Sequence, residues 1–164
     1  MDKKEYADPE ILADGKVLLA LKQRFLQEKT DEAMFMFMTC LRDSVVFVPM
    51  FAMLSDEDKA RLAQGDMAPS GSVLFSPDIL PHPSGLKFFP LFTQKEQLPK
   101  QYLQKGVTPL PLSVLRSIRL AKECGADSIV LDPYTQPCAI PMEAAQKIEN
   151  LPSALSEEDQ KALD

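Results

Sequence analysis

The sequence is poor in the residues from which most catalytic and metal sites are built. It contains one histidine, three cysteines and six glycines in 164 residues. They include Cys40, Cys124, Cys138 and His82. Without a Cys-x-x-Cys pair or a second histidine, a zinc site is not expected. With so few glycines and no glycine-rich phosphate motif, a nucleotide-binding loop is not expected either, and we predict no cofactor.

Positive charge and long apolar runs are also scarce. The net charge at pH 7 is -6 and the pI is about 4.9, and no cluster of Lys and Arg is visible, which argues against nucleic-acid binding. No apolar run approaches the roughly 20 residues that cross a bilayer, and the charged N-terminus is unlike a signal peptide. An odd number of widely spaced cysteines suits a reducing compartment. We therefore expect a cytoplasmic protein that binds neither nucleic acid nor membranes.

The chain does have enough apolar sequence for one ordinary domain. Its hydrophobic content is 45% and its charged content is 26%, as in globular proteins. A chain of this length buries about 70% of the surface that its unfolded form exposes. No linker or repeat divides it, so we predict a single domain over 1–164, with a core at about 9–151 and a peripheral acidic tail at 152–164.

The first half predicts helices followed by a buried strand. Asp8-Pro9-Glu10 is typical of a helix start, and Asp14-Gly15 either breaks or restarts that helix. A second helix is predicted from Asp31 to Leu41, apolar on nearly every side. The β-branched run 45–48, ended by Pro49, predicts a central strand covered on both faces.

The second half predicts strands that alternate with helices. The run 86–92 contains Pro90, which implies a bulge or an edge position there, and 73–80 is its candidate antiparallel partner. A helix is expected at 94–104. Further strands are expected at 107–110 and 128–131, each followed by a helix, with a loop at 134–140.

This alternation favours parallel strands joined by crossovers. We therefore predict an α/β fold that borders on α+β. It would contain a mixed sheet of about five strands with helices packed on its faces, two N-terminal helices, and a C-terminal half of alternating strands and helices.

Three motifs resemble a known family when taken in order. They are Leu41-Arg42-Asp43-Ser44 leading into Val45–Pro49, Leu91-Phe92-Thr93 before a polar helix, and Gly125–Pro133. Together they resemble the N-terminal domain of the SseB-like proteins, a bacterial family named for enhanced serine sensitivity, over about 18–151. The second domain of the longer members has no room here. The resemblance implies no catalytic residues.

One candidate ligand site follows from the expected topology. In open α/β sheets, ligands bind beyond the carboxyl ends of the parallel strands. That rule would bring together Thr93, Ser113, Asp132 and Tyr134. Helix N-termini at Thr93 and Ser113 could accept an anion, although both residues also fit ordinary helix caps, each worth about 1 kcal/mol. The nearby thiol of Cys138 has no base or cation close in sequence, which favours a packed apolar role.

We predict that the chain binds a protein or a peptide and is not an enzyme. Two apolar stretches motivate this, Met34–Met38 and the segment after the central strand. In that segment, Met50, Phe51 and Met53 are the candidate contact surface. The alternative is a sensor of an amino-acid-like metabolite, or an enzyme, that uses the strand-end crevice.

Overall fold

The computed structural model describes residues 8–53, 56–65 and 74–163. In chain order the helices are α1 (Pro9–Ala13), α2 (Lys16–Glu28), α3 (Asp31–Arg42), α4 (Asp56–Ala63), α5 (Lys100–Gln104), α6 (Val114–Glu123), α7 (Met142–Lys147) and α8 (Glu157–Leu163), with 3-10 turns at Lys95–Gln97 and Ile148–Asn150. The strands are β1 (Val45–Met53), β2 (Leu74–Pro77), β3 (Leu80–Pro81), β4 (Lys87–Leu91), β5 (Val107–Ser113), β6 (Ser128–Leu131) and β7 (Cys138–Pro141).

Three helices, α1, α3 and α6, begin at side-chain caps that are visible in the sequence. Asp8 accepts a hydrogen bond from the backbone N–H of α1, Thr30 from that of α3 and Ser113 from that of α6. Each cap satisfies a donor that the first turn of a helix leaves without an internal partner. The break predicted at Asp14-Gly15 separates α1 from α2.

The strands form two sheets joined by one bridge. The first sheet has the order β2-β1-β5 and is antiparallel; the second has the order β3-β4-β6-β7, in which only β4 and β6 are parallel. Phe47 of β1 and Phe92 exchange two backbone hydrogen bonds of 2.8 and 2.9 Å, which link the sheets. The α/β class is confirmed. The predicted single sheet of about five strands is instead a pair of sheets, of three and four strands in the described residues.

The predicted end of β1 at Pro49 is wrong, because the strand continues to Met53. Phe47 bonds to Phe92, so its backbone groups point away from β5, and two residues further on Pro49 has the same orientation. The Pro49 carbonyl accepts from Asp78 N at 3.0 Å. The missing proline N–H therefore removes no bond between β1 and β5, and the strand tolerates the residue.

Pro90 occupies the edge position that its residue type predicts. β3 pairs only with Lys87 and Phe88, so the later part of β4 has no partner strand of its sheet on that side. Leu91 O accepts from Asp132 N at 2.8 Å, which places the backbone groups of Leu91 toward β6 and those of Pro90 away from it. No ladder bond is lost.

Other predicted boundaries are corrected. The helix expected at 94–104 is a 3-10 turn followed by α5, because Leu98 precedes Pro99 and is extended, with φ −73° and ψ 132°. The loop expected at 134–140 contains the start of β7, which pairs with β6. β5 belongs to the first sheet, so the predicted run of parallel strands reduces to β4 and β6.

One apolar core unites the helices with both sheets. Its fully buried side chains come from α2, α3, β1, β4 and β6, and they include Leu18, Phe37, Leu41, Val46, Val48, Phe89, Leu91, Ile129 and Leu131. A smaller cluster of Phe92, Tyr102 and Val107 lies beside the bridge between the sheets. The tail is attached to this core through Leu155, which is buried, and Leu163, which packs against it.

Candidate functional site

A buried ion pair lies at the carboxyl ends of the parallel strands β4 and β6. The side chains of Lys22 and Asp132 are both 0% exposed, and Lys22 Nζ lies 2.6 Å from Asp132 Oδ2. Lys22 Nζ also donates to the carbonyl of Gln136 at 2.7 Å. Thr93 donates to Asp132 twice, from its backbone N to Oδ1 and from its hydroxyl to Oδ2, each at 2.9 Å. The structure thus brings Thr93 and Asp132 together. We call Lys22, Thr93 and Asp132 the strand-end cluster.

The polar groups of the strand-end cluster are hydrogen-bonded to other groups of the protein. Both carboxylate oxygens of Asp132 accept hydrogen bonds, and its backbone N donates to Leu91 O. The backbone of Asp132 has φ 48°, in the left-handed region that aspartate adopts more readily than most residues. Lys22 and the two donors of Thr93 thus engage both oxygens of the Asp132 carboxylate. It is therefore arranged as a structural ion pair.

The turn between α1 and α2 covers this end of the sheet. Gly15 has φ 74°, and a Cβ added there would lie 2.1 Å from Thr93 O, so only glycine fits. The side chain of Gln94 donates to Asp14 O at 3.0 Å across the same contact. Together with Lys22, these contacts surround Thr93 and Asp132, which are both fully buried.

Sequence reasoning missed Lys22, although a signal for it exists. Leu18, Leu21 and Lys22 are the buried residues of α2, and Lys22 lies four residues after Leu18, on the same side of the helix. A lysine on an apolar stripe has to find a buried partner or reach water. The partner is a carboxylate 110 residues later, and nothing in the local pattern of α2 indicates which one.

Ser113 belongs to a different part of the molecule from the strand-end cluster. It ends β5 in the first sheet, and its hydroxyl accepts from Arg116 N at 3.2 Å as the cap of α6. Ser113 lines a cavity of about 210 Å³ that Arg42 and Arg119 also line. The structure does not place it with Thr93 and Asp132, because β5 pairs with β1 and not with β4 or β6.

Tyr134 lies on an aromatic group near the strand-end cluster. Its ring is 53% exposed and stacks on Phe92 with centroids 6.4 Å apart, while its hydroxyl lies 3.1 Å from that of Tyr102. Burial raises the pKa of Tyr102, and the Tyr134 hydroxyl and Asp78 raise it further. Tyr102 therefore stays protonated at neutral pH and is not available there as a base.

The cysteines are poorly suited to nucleophilic catalysis. Burial raises the pKa of the Cys40 thiol to about 11; the hydrogen bond with Ser44 lowers it by less than burial raises it, and the Asp43 charge adds a smaller increase. Burial also raises the pKa of Cys138 and of Cys124. Because the thiolate is the nucleophile, thiols with raised pKa values react slowly at neutral pH. Cys40 and Cys138 are buried, which agrees with a packing role.

His82 lies in an exposed turn. Its Nδ1 atom lies 2.7 Å from Ser84 Oγ, and its ring meets Phe88 edge-on with centroids 5.7 Å apart. In the described ranges, no group of three or more His, Cys, Asp or Glu side chains is placed to hold a metal ion. Within the same ranges, no helix is long and apolar enough to cross a membrane.

Of the predicted contact surface after the central strand, the structure describes the side chains of Met50 and Phe51, which lie in different environments. Met50 is only 4% exposed, Phe51 is half-buried against the cluster of Phe92, Tyr102 and Val107, and the side chain of Met53 lies outside the described residues. Met50 lines a groove of about 420 Å³ between the first sheet and α6. The groove, which we call the α6 groove, is lined by Met50, Phe75, Leu110, Leu112, Arg116, Arg119, Leu120 and Glu123.

The second apolar stretch, on α3, is split between core and surface. Phe37 is fully buried and stacks on Phe25 with ring centroids 5.9 Å apart. Met34 and Phe35 are 41% and 42% exposed, while Met36 and Met38 pack partly against the core. The prediction of a helix buried on nearly every side is therefore wrong at Met34 and Phe35, which are exposed, whereas Ala33 beside them is buried.

The sequence matches a protein-family model. The family model for the SseB protein N-terminal domain matches residues 18–146, a span that contains the strand-end cluster and α6. No curated protein and no solved structure matches the chain. Since the family model covers well over half of its length, the chain belongs to the SseB family through this N-terminal domain.

Proposed function

We propose that this domain binds a peptide segment of another protein in the α6 groove. The observation that carries the proposal is an apolar floor, made by Met50, Leu110 and Leu112, that opens beside Phe75, whose side chain is 46% exposed. An aromatic ring of this kind at the edge of an apolar groove is typical of the anchors that carry binding energy in interfaces. The α6 groove has a volume of about 420 Å³, which is enough for a few side chains.

Charged side chains at the rim define the chemistry of the occupant. Arg116, Arg119 and Glu123 line the groove with a net positive balance. Arg119 pairs with Glu149 at 3.1 Å, but both side chains are 56% exposed, and exposed pairs of this kind contribute only about 0–1 kcal/mol. Arg119 can therefore exchange that partner for a carboxylate of the occupant. We propose a peptide with apolar side chains next to an acidic residue.

Side-chain insertion is favoured over strand addition. β5 is the outer strand of the first sheet, and in its register Pro109 and Pro111 lie opposite Pro49 and Phe47. Phe47 points its backbone groups away from β5, so the residues opposite it and opposite Pro49 point theirs outward from β5. Two of the N–H donors that an added strand needs are thus replaced by proline. The occupant must bind through its side chains.

A ligand site at the strand-end crevice has less support. The carboxylate of Asp132 is fully buried and engaged by Lys22 and Thr93. The contact between Gly15 and Thr93 covers the same end of the sheet. A metabolite would have to displace these internal contacts, whereas the α6 groove is open.

Peptide selection with a matched pair of variants tests the proposal. Peptides selected from a random library by the wild-type domain should share apolar residues beside an acid, and Phe75→Ser should weaken their binding about tenfold or more. The control is Leu86→Ser, because Leu86 has a similar exposed fraction, 44%, and lies outside the groove. Isothermal titration calorimetry measures both. Equal affinities for the two variants, or no selected peptides, would count against the proposal.

A further inference from the structure

A second cavity, which shares Arg119 with the α6 groove, has a different character from that groove. It lies where the end of α3, the start of α6 and the tail meet, and its volume is about 210 Å³. Its polar lining consists of Arg42, Ser113, Arg119, Glu149 and Gln160. We call it the arginine cavity. It brings together two guanidinium groups, each of which has one carboxylate partner, Asp43 for Arg42 and Glu149 for Arg119.

The guanidinium of Arg42 has a hydrogen-bond donor without a partner in the described residues. Its side chain is 14% exposed, and its Nη1 atom lies 3.0 Å from Asp43 Oδ1. Its Nε atom is buried and has no hydrogen-bond partner among the residues that the structure describes. Native proteins satisfy most buried donors, and an exception calls for an explanation. The guanidinium of Arg42 also lines the neighbouring cavity, so an acceptor bound there could engage it and reorient its donors.

Asp43 is shared between Arg42 and the tail. Its Oδ1 atom also accepts from Ser153 Oγ at 2.6 Å, and its Oδ2 atom accepts from Ala154 N at 2.8 Å. The carboxylate is therefore shared among three donors, two of which attach the tail to α3. Arg42 is bound only through Oδ1, an oxygen that it shares with Ser153.

The size of the cavity limits what it can hold. Its volume is far above the roughly 10–15 Å³ that one water molecule needs. It is below the roughly 300–1,000 Å³ of sites for drug-sized ligands, so a nucleotide is too large. The ligand that remains is a compact group with several acceptor oxygens, which guanidinium donors bind through paired hydrogen bonds.

We propose that the arginine cavity binds a small oxyanion, a carboxylate or a phosphate group, between Arg42 and Arg119. The oxyanion takes donors of Arg42 that no described residue engages. It competes with Glu149 for Arg119, which is held only by an exposed ion pair. Ser113 places the start of α6, a helix of 10 residues, at the same cavity, and its positive end adds to the attraction.

Titration of the whole chain with two probes tests the site. Inorganic phosphate and malonate are each added at matched ionic strength, with chloride as the reference, and amide chemical shifts are recorded by NMR. Saturable shifts centred on Ser113 and Leu115 with either probe support the proposal, and the probe that saturates at lower concentration identifies the preferred oxyanion. Shifts that stay linear and scattered over the surface with both probes overturn it.

Variants separate this site from general charge effects. Arg119→Gln should weaken the binding about tenfold, and because Arg119 is exposed the fold should tolerate the change. Arg24→Gln removes the same charge from α2, where Arg24 pairs with Glu28 and lies outside the cavity, so it should bind like the wild type. Phe75→Ser should also leave oxyanion binding unchanged, which keeps this result independent of the α6 groove. Equal weakening by Arg24→Gln and Arg119→Gln would overturn the site.

Discussion

The strand-end cluster and the arginine cavity both place a basic side chain against a buried aspartate, but they use it differently. In the strand-end cluster, Lys22 and Asp132 are fully buried and engaged by neighbouring donors and acceptors. In the arginine cavity, Arg42 is paired with Asp43 yet keeps a buried Nε atom without a described partner. The first arrangement is complete, and the second has capacity for a ligand. A candidate site therefore differs from a structural ion pair in having a hydrogen-bond donor without a partner in the described residues.

The largest expected effect comes from breaking the complete pair. Asp132→Ala leaves Lys22 buried with an uncompensated charge, so the free energy of unfolding should fall by about 3–5 kcal/mol. Urea unfolding followed by circular dichroism measures this. The matched control is Asp127→Ala, because Asp127 also accepts a backbone N–H, that of Lys87 at 2.8 Å, but at an exposed position. The control should lose about 1 kcal/mol.

A double variant tests whether the unpaired charge is the cause. Lys22→Met combined with Asp132→Asn removes both charges, and it should be more stable than Asp132→Asn alone because no buried ion is left without a partner. Both variants carry Asn at 132, so the backbone at φ 48° is the same in each comparison. If Asp132→Ala lowers the free energy of unfolding no more than Asp127→Ala does, the ion pair of the strand-end cluster does not stabilise the fold.

A smaller effect is expected from the turn that covers the cluster. Gly15→Ala puts a Cβ 2.1 Å from Thr93 O at a residue with φ 74°, so it adds a collision to the strain of a left-handed alanine. Gly106→Ala is the matched control, since Gly106 has φ 77° and no atom within 4 Å of its added Cβ. We expect about 1–2 kcal/mol of destabilisation for Gly106→Ala and clearly more for Gly15→Ala. If thermal unfolding shows the same destabilisation for both variants, the turn moves to accommodate the added Cβ without displacing Thr93.

The smallest expected effect on stability is that of a change in the arginine cavity. Glu149→Gln removes an exposed partner of Arg119, so the free energy of unfolding should change by no more than about 1 kcal/mol. Oxyanion binding should become tighter, because a competing carboxylate is gone. Glu143→Gln makes the same charge change at an exposed position of α7 outside the cavity. If both variants bind phosphate and malonate like the wild type, Glu149 does not compete for the ligand.

Much of the fold followed from local patterns in the sequence. The caps at Asp8 and Ser113 and the β-branched run of β1 identified helices and a central strand, since each depends on neighbouring residues alone. The division into two sheets did not follow from such patterns. It depends on β5 pairing with β1, a choice made by distant strands that the alternation of strands and helices does not encode.

The candidate sites were predictable to a smaller extent. The ends of parallel strands meet at one edge, so the proximity of Thr93 and Asp132 could be inferred from topology. Lys22 could not be paired with them, because any distant carboxylate would satisfy a lysine on an apolar stripe. The donor left over on Arg42 is a property of the packed fold, and no sequence pattern near Arg42 indicates it.

The distance along the chain between Lys22 and Asp132 has a consequence for synthesis on the ribosome. Lys22 is made 110 residues before its carboxylate. At roughly 5–20 residues per second, α2 waits about 5–20 s for that partner. During this interval Asp132 does not yet exist, so burying Lys22 would carry the cost of an unpaired buried charge. Burial of Lys22 in its final position is therefore favoured only after β6 and the turn that follows it have been made.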